Sequence, residues 1–175
     1  MILDHYRPIA LLNTIYQLIM LIITSRLRQL TEYYAVMEGS QYGFRTHRGV
    51  QIVVQRAHWV QQQAMKESGI LIRIDLDFKN AFNSVGHSCR WATLRGLGVP
   101  DVDFLEDLYS KSWMKITVGT RCSAPIQLDT GTVQGSVLSP LLFDLFLNAL
   151  LRLLDAREIM LFIGKPKGRS IMISN

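Results

Sequence analysis

The order of hydrophobic periodicities predicts an α+β domain. Apolar residues recur at helical spacing before Gly69 and again after Ser139, an alternating run at Ile70–Asp77 reads as a strand, and two short strands are predicted between Met114 and Leu128. With 175 residues, 49% of them hydrophobic, the chain is long enough for one ordinary core and too apolar for a disordered or fibrous class. No repeat, low-complexity tract or Pro/Ser-rich linker divides it, which predicts two subregions of one folded unit.

Taken in order, Ile9–Ile23 is the one membrane-like stretch. It contains Asn13, Thr14, Tyr16 and Gln17 and is shorter than the roughly 20 apolar residues a spanning helix needs, so a buried core helix is predicted. No basic segment precedes it and no small-residue cleavage site follows, against a signal peptide. From Leu18 to Leu30 apolar residues on every face give way to Arg26 and Arg28, predicting a helix that is buried first and surfaces at its basic end. Glu38-Gly39-Ser40 breaks the pattern, and Gln41 to Gly49 reads as an ordered loop whose glycines bracket aromatic and basic residues. Val50, Val53, Val54, Ala57, Val60 and Ala64 predict a second amphipathic helix ending near Ser68-Gly69.

In the strand, Ile70, Ile72, Ile74 and Leu76 point one way, toward the predicted core, and Leu71, Arg73, Asp75 and Asp77 the other. Helix returns from His87 to Arg95, stops at Gly96–Pro100, and resumes from Asp101, a candidate N-cap, through Trp113. Met114–Gly119 and Pro125–Leu128 read as strands joined around Thr120–Ala124, in the sheet that contains Asp77. Ser139-Pro140 starts a last helix running through Leu154, with Ser139 able to cap free amides and Pro140 tolerated in the first turn.

Lys and Arg total 19 against 14 Asp and Glu, a net charge of +5 that is compatible with a polyanionic partner without requiring one. Cys89 and Cys122 are far apart with no paired spacing, which argues against a disulfide framework or zinc knuckle and for reduced thiols in an intracellular compartment, cytoplasmic or nuclear.

Two stretches carry chemistry. Asp77-Phe78-Lys79-Asn80-Ala81-Phe82-Asn83-Ser84-Val85 sets a carboxylate at a strand end with an aromatic ring five positions on; such a carboxylate can bind Mg²⁺, which prefers oxygen ligands, or simply cap the next helix. Gly131 to Pro140 is a glycine-rich turn leading into a helix. Its paired glycines let backbone approach a flat ligand closely, and Gln134 can donate and accept hydrogen bonds.

With Tyr6-Arg7-Pro8-Ile9-Ala10-Leu11-Leu12-Asn13 and Gln41-Tyr42-Gly43-Phe44-Arg45, these make four ordered motifs that resemble the reverse transcriptases of non-LTR (LINE-type) retrotransposons, over roughly Tyr6 to Leu154. The resemblance implies a right-hand fold with an antiparallel palm sheet packed on helices, residues 1–69 as fingers and 70–175 as a partial palm, and no thumb. It implies a nucleotidyltransferase, an RNA-directed DNA polymerase working on RNA template, DNA primer and deoxynucleoside triphosphates, with two Mg²⁺ ions.

Site residues follow from the same resemblance. Asp77 becomes the catalytic metal-binding carboxylate, joined by the Phe78 carbonyl. Phe82 takes the position where a ring collides with a ribonucleotide 2′-hydroxyl, or stays an ordinary core aromatic. Arg7 faces the triphosphate with its planar fork. Gln134 and Gly135 lie near sugar and templating base, and Arg45 and Arg48 hold template or triphosphate or belong to a solvated basic loop.

One departure stands out. The family's aromatic-x-Asp-Asp hairpin should follow the Ser139 helix, yet the chain has no Asp-Asp pair. Glu158–Ile163 resembles that hairpin's first strand, and Gly164-Lys165-Pro166-Lys167-Gly168 follows where an acidic tip is expected, with Arg169 completing a basic turn. The expectation is a domain truncated before that motif, inactive on its own; the alternatives are a non-catalytic RNA-binding remnant and a small membrane protein built on Ile9–Ile23.

Overall fold

The computed structural model describes residues 10–68, 71–156, 161–162 and 169–173. Arg7, the basic run 164–168 and most of the stretch 158–163 lie outside the described residues, so those readings receive no structural account. Helix α1 spans Thr14–Tyr33 and α2 Val50–Lys66; strand β1, Ile72–Leu76, precedes α3, His87–Gly96, and α4, Val102–Ser110. Four two-residue strands follow, β2 (Trp113–Met114), β3 (Thr117–Val118), β4 (Arg121–Cys122) and β5 (Ile126–Gln127), then α5, Ser139–Asp155, and strands β6 (Leu161–Phe162) and β7 (Arg169–Ile173). Mixed helices with small antiparallel sheets make this α+β, as predicted.

The main core is a helix layer. Leu141, Leu142 and Leu145 of α5 meet Trp91 and Leu94 of α3 and Met20 of α1, all at most 2% exposed. Burying side chains of this size contributes about 1.5–3 kcal/mol each, which makes α5 the central element of the layer.

Helix α5 also carries a polar stripe at four-residue spacing, and it grips the chain that leaves α1. Asn148, fully buried, donates Nδ2 to the Val36 carbonyl at 2.7 Å and accepts the Glu38 amide on Oδ1 at 2.7 Å. Arg152 also donates to Val36, at 2.8 Å, and Asp144 accepts from the buried Gln41 side chain at 3.4 Å. Paired in this way, buried amides and carbonyls escape the cost of lost hydration.

The apolar N-terminal half of α1 runs against expectation. Ile15, Leu18 and Ile22 are 71%, 60% and 50% exposed, and the buried positions are Met20, Thr24, Leu27 and Thr31. The helix is apolar all round at its start, so composition could not say which face the core would take; the core takes the face of Met20 and Leu27. Among the described residues no helix is long and apolar enough to cross a membrane. In α2, Val53 is buried while Val50 and Val54 are exposed.

Strand order in the largest sheet is β1-β7-β6, all antiparallel, with Leu76 opposite Arg169 and Phe162 opposite Ser170. The strand expected within Glu158–Ile163 is thus present as β6. Arg169, read as part of a basic turn, is the first residue of β7.

Three further expectations need correction. Leu76 is 41% exposed and belongs to none of the buried clusters, so the expected core-facing side of β1 does not hold at that position. The strand pairs β2–β5 and β3–β4 form two separate two-stranded sheets, apart from the sheet of β1, and the reversal falls at Gly119, whose φ of +60° permits the tight turn. Helix α4 ends at Ser110; Asp101 occupies its N-cap position as expected, at φ 56° and without a side-chain cap bond, whereas at α5 the N-cap is Leu138 and Ser139 Oγ donates instead to the Val133 carbonyl at 2.8 Å.

Candidate functional site

Asp77 follows directly on β1 and is exposed, as is Phe78, 43% exposed. Because Leu76 pairs with Arg169, Asp77 stands at the end of the sheet where the chain joins β6 to β7. It is the end at which the resemblance implies an acidic hairpin tip.

From Asn80 the chain turns back, helped by a φ of +52° that asparagine tolerates, and delivers Phe82 half-buried between other aromatics. Its ring lies 4.5 Å from that of Phe143 and meets Phe44 edge-on at 6.3 Å. Edge and tilted contacts of this kind stabilise by about 0.5–1.5 kcal/mol each beyond burial, enough to fix the ring's orientation.

The glycine-rich turn is sewn to this segment. Gly131 donates its amide to Val85 at 2.7 Å, Thr132 donates to the Phe82 carbonyl at 2.8 Å, and Gln134 Nε2 donates to Asn83 Oδ1 at 3.0 Å. Gly131 has φ +79°, and a Cβ on it would stand 2.9 Å from Asn83 Cα, so only glycine lets the two strands of chain approach this closely.

The far side of the turn is held by the chain's beginning. Ala10 donates to the Gln134 carbonyl at 2.8 Å, and Gln17 of α1 donates to the Gly135 carbonyl at 3.1 Å. Gly135, at φ +115°, would drive a Cβ to 2.7 Å from the Ala10 carbonyl oxygen. Three of the four expected motifs therefore converge on one turn. Asn83, Ala10 and Gln17 had been assigned no role; the signal for Gln17 was its polarity inside an apolar run.

Arg45 is placed elsewhere than expected. Its Nε and Nη2 take both oxygens of Glu32 at 2.8 and 2.6 Å, Nη1 donates to the Glu38 carbonyl at 2.7 Å, and its side chain is 6% exposed. With its fork so engaged, Arg45 fastens the loop to α1 and does not present the guanidinium to a ligand. Arg48 lies over the Tyr42 ring at 5.3 Å and donates to the Gly39 carbonyl.

The hydrogen bonds from Arg45 hold the Glu32 carboxyl below the usual carboxylate range, with the charges of Arg45, Arg48 and Arg28 acting the same way. A depressed folded pKa gives stability that is present above the unfolded value and is lost as pH falls through the folded one. Glu32→Gln is therefore expected to be less stable than wild type at pH 7, with the gap closing as acid protonates Glu32. Urea melts at pH 7 and at pH 3 measure it; a gap independent of pH would show that the ion pair contributes nothing.

Comparison with known proteins supplies the context. Residues 3–164 match the family described as Reverse transcriptase (RNA-dependent DNA polymerase). The chain is 28% identical over 108 residues to the Retrovirus-related Pol polyprotein from type-1 retrotransposable element R2 of Popillia japonica, covering 61% of this chain and 18% of that protein. It is 27% identical over 144 residues to the Probable RNA-directed DNA polymerase from transposon BS of Drosophila melanogaster, covering 82% and 16%, and 25% identical over 175 residues to the Transposon TX1 uncharacterized 149 kDa protein of Xenopus laevis, covering 98% and 13%. The matched region thus spans less than a fifth of each of these relatives.

Proposed function

Because the chain belongs to the reverse transcriptase (RNA-dependent DNA polymerase) family, in agreement with the non-LTR resemblance, we propose that it forms the fingers (1–69) and first part of the palm (70–175) of an RNA-directed DNA polymerase. Its partners in that role are an RNA template, a DNA primer and deoxynucleoside triphosphates, inside the cell. The observation that carries the reading is the hydrogen-bonded joint between Phe82-Asn83-Val85 and Gly131-Thr132-Gln134, which brings the two chemistry-bearing motifs into one surface.

Each side chain has a task on that surface. The Phe82 ring, braced by Phe143 and Phe44, cannot swing aside and so excludes a 2′-hydroxyl from the sugar position. Gln134, with one amide hydrogen committed to Asn83, keeps its carbonyl oxygen and second hydrogen for nucleotide or template. Gly135 offers a surface without a side chain, on which a sugar or base can lie close.

Divalent cations, which this family uses, neutralise phosphate charge during transfer. Asp77 is a suitable exposed oxygen donor, with the Phe78 carbonyl next in the chain, but among the described residues no three His, Cys, Asp or Glu stand close enough to hold a metal ion. The described residues alone do not make a two-ion site.

Two measurements test the reading. Purified chain should bind dTTP more tightly than UTP, and Phe82→Ala should narrow that preference by about tenfold or more; equal binding of the two by wild type would sink the nucleotide-site assignment. Primer extension on an RNA template with Mg²⁺ should give little or no cDNA from this chain by itself, since one carboxylate holds two ions poorly. Robust cDNA synthesis would overturn that part.

A further inference from the structure

Arg90 is a charged side chain set inside the core. It is completely buried on α3, its guanidinium lies 4.3 Å from the Trp91 ring and 4.8 Å from that of Tyr109, and its Nε and Nη2 find no hydrogen-bond partner among the described residues. A buried cation without a carboxylate is usually less stable than an apolar side chain of the same volume, so its presence calls for a reason other than stability. Two π faces offset part of that cost.

The hydrogen bond its guanidinium makes among the described residues points to the reason. Nη1 donates to the Gly131 carbonyl at 3.0 Å, and His87, one helical turn earlier, donates Nε2–H to the same oxygen at 2.8 Å. Burial and the neighbouring Arg90 push the His87 pKa down, which keeps the ring neutral, with its proton on the nitrogen that faces Gly131. The backbone is fixed alongside: His87 donates its amide to Asp129 at 3.1 Å, and Gly86 bridges to Thr130. Both lone pairs of one carbonyl, at the entry to the turn that presents Gln134 and Gly135, are thus taken by two side chains of α3.

We propose that Arg90 and His87 are positioning residues of the nucleotide site: by fixing the Gly131 carbonyl they set where Gln134 and Gly135 stand against Phe82. This rests on the nucleotide-site reading above. The pair touches no substrate and acts only through the turn.

The test uses the purified chain, dTTP with Mg²⁺ as ligand, and hydrogen exchange at the amides of Gly131 to Gln134. Arg90→Met and His87→Leu should each weaken dTTP binding by about tenfold, the size of one hydrogen bond to a charged or fully buried donor, and speed exchange in the turn. The amides of α5 should exchange as in wild type. His87→Gln, which can still place a donor near Gly131, should restore affinity to within about twofold of wild type. In a Gln134→Ala background, Arg90→Met should weaken binding by less than about threefold, because the residue it positions is gone.

Unchanged dTTP affinity in Arg90→Met and His87→Leu overturns the proposal, as does an equal loss with and without Gln134. If wild type itself fails to bind dTTP, the nucleotide-site reading falls first; unaltered exchange at Gly131 to Gln134 in the variants then overturns the positioning claim separately. Should Arg90→Met fail to fold, the half-buried His87 variants carry both arms.

Discussion

Gly131→Ala is expected to cost about 3 kcal/mol, the sum of a left-handed backbone at a residue with a side chain and a collision with neighbouring backbone. The collision is the larger part, since the new Cβ would meet Asn83 Cα at 2.9 Å and the Asn83 carbonyl oxygen at 3.1 Å, neither of them the movable end of a side chain. Gly98 provides the control. It has nearly the same backbone, φ +73° against +79°, but nothing within 4 Å of its added Cβ, so Gly98→Ala should cost only about 1 kcal/mol. Urea unfolding of the two variants separates strain from collision: equal losses would mean that the close approach of the two motifs does not matter energetically.

That contrast also marks what the sequence could show. A glycine-rich turn before Ser139-Pro140 was visible as a pattern, but Gly98 and Gly131 look alike in a string of letters, and only the partner residue Asn83, 48 positions earlier, tells them apart. Element types were legible where a period ran long: α2, α3, α5 and β1 lie where spacing put them. The short strands were placed less well because two-residue pairs carry no period, and their register is set by Gly119 and by the Ile116–Ser123 hydrogen bonds.

Side-chain roles followed the same division. The segments that carry Phe82 and Gln134 are joined by backbone hydrogen bonds from Gly131 to Val85 and from Thr132 to Phe82, which satisfy buried amides that each segment must pair somewhere. Arg45 looked like a free basic residue in a loop, and nothing local announces that Glu32, thirteen positions earlier, will take its fork. Nothing in the pattern of the His87–Arg95 helix singles out Arg90. Trp91 is its neighbour on α3, but the burial of Arg90 also depends on Tyr109 and Gly131, which arrive from 19 and 41 residues further along the chain.

Asn148→Ala is expected to be the second large loss, about 2–3 kcal/mol, although it removes only the three heavy atoms of the side-chain amide. The reason is what it leaves behind. The Glu38 amide, bonded at 2.7 Å to Asn148 Oδ1, loses its partner in a part-buried place, while the Val36 carbonyl keeps Arg152 Nη2 at 2.8 Å. One orphaned donor and one vanished donor–acceptor pair account for the magnitude, since an unmade buried hydrogen bond costs more than a made one contributes. Arg152→Ala removes a neighbouring contact of the same stripe, but that side chain is 41% exposed and its ion pair with Glu38 spans 3.3 Å, so a loss of about 1 kcal/mol or less is expected. The two variants, melted side by side, decide whether α5 holds the 36–43 segment through its buried amide or through its surface charge. A larger loss for Arg152→Ala would assign the grip to charge, and high salt should then weaken wild type by a matching amount.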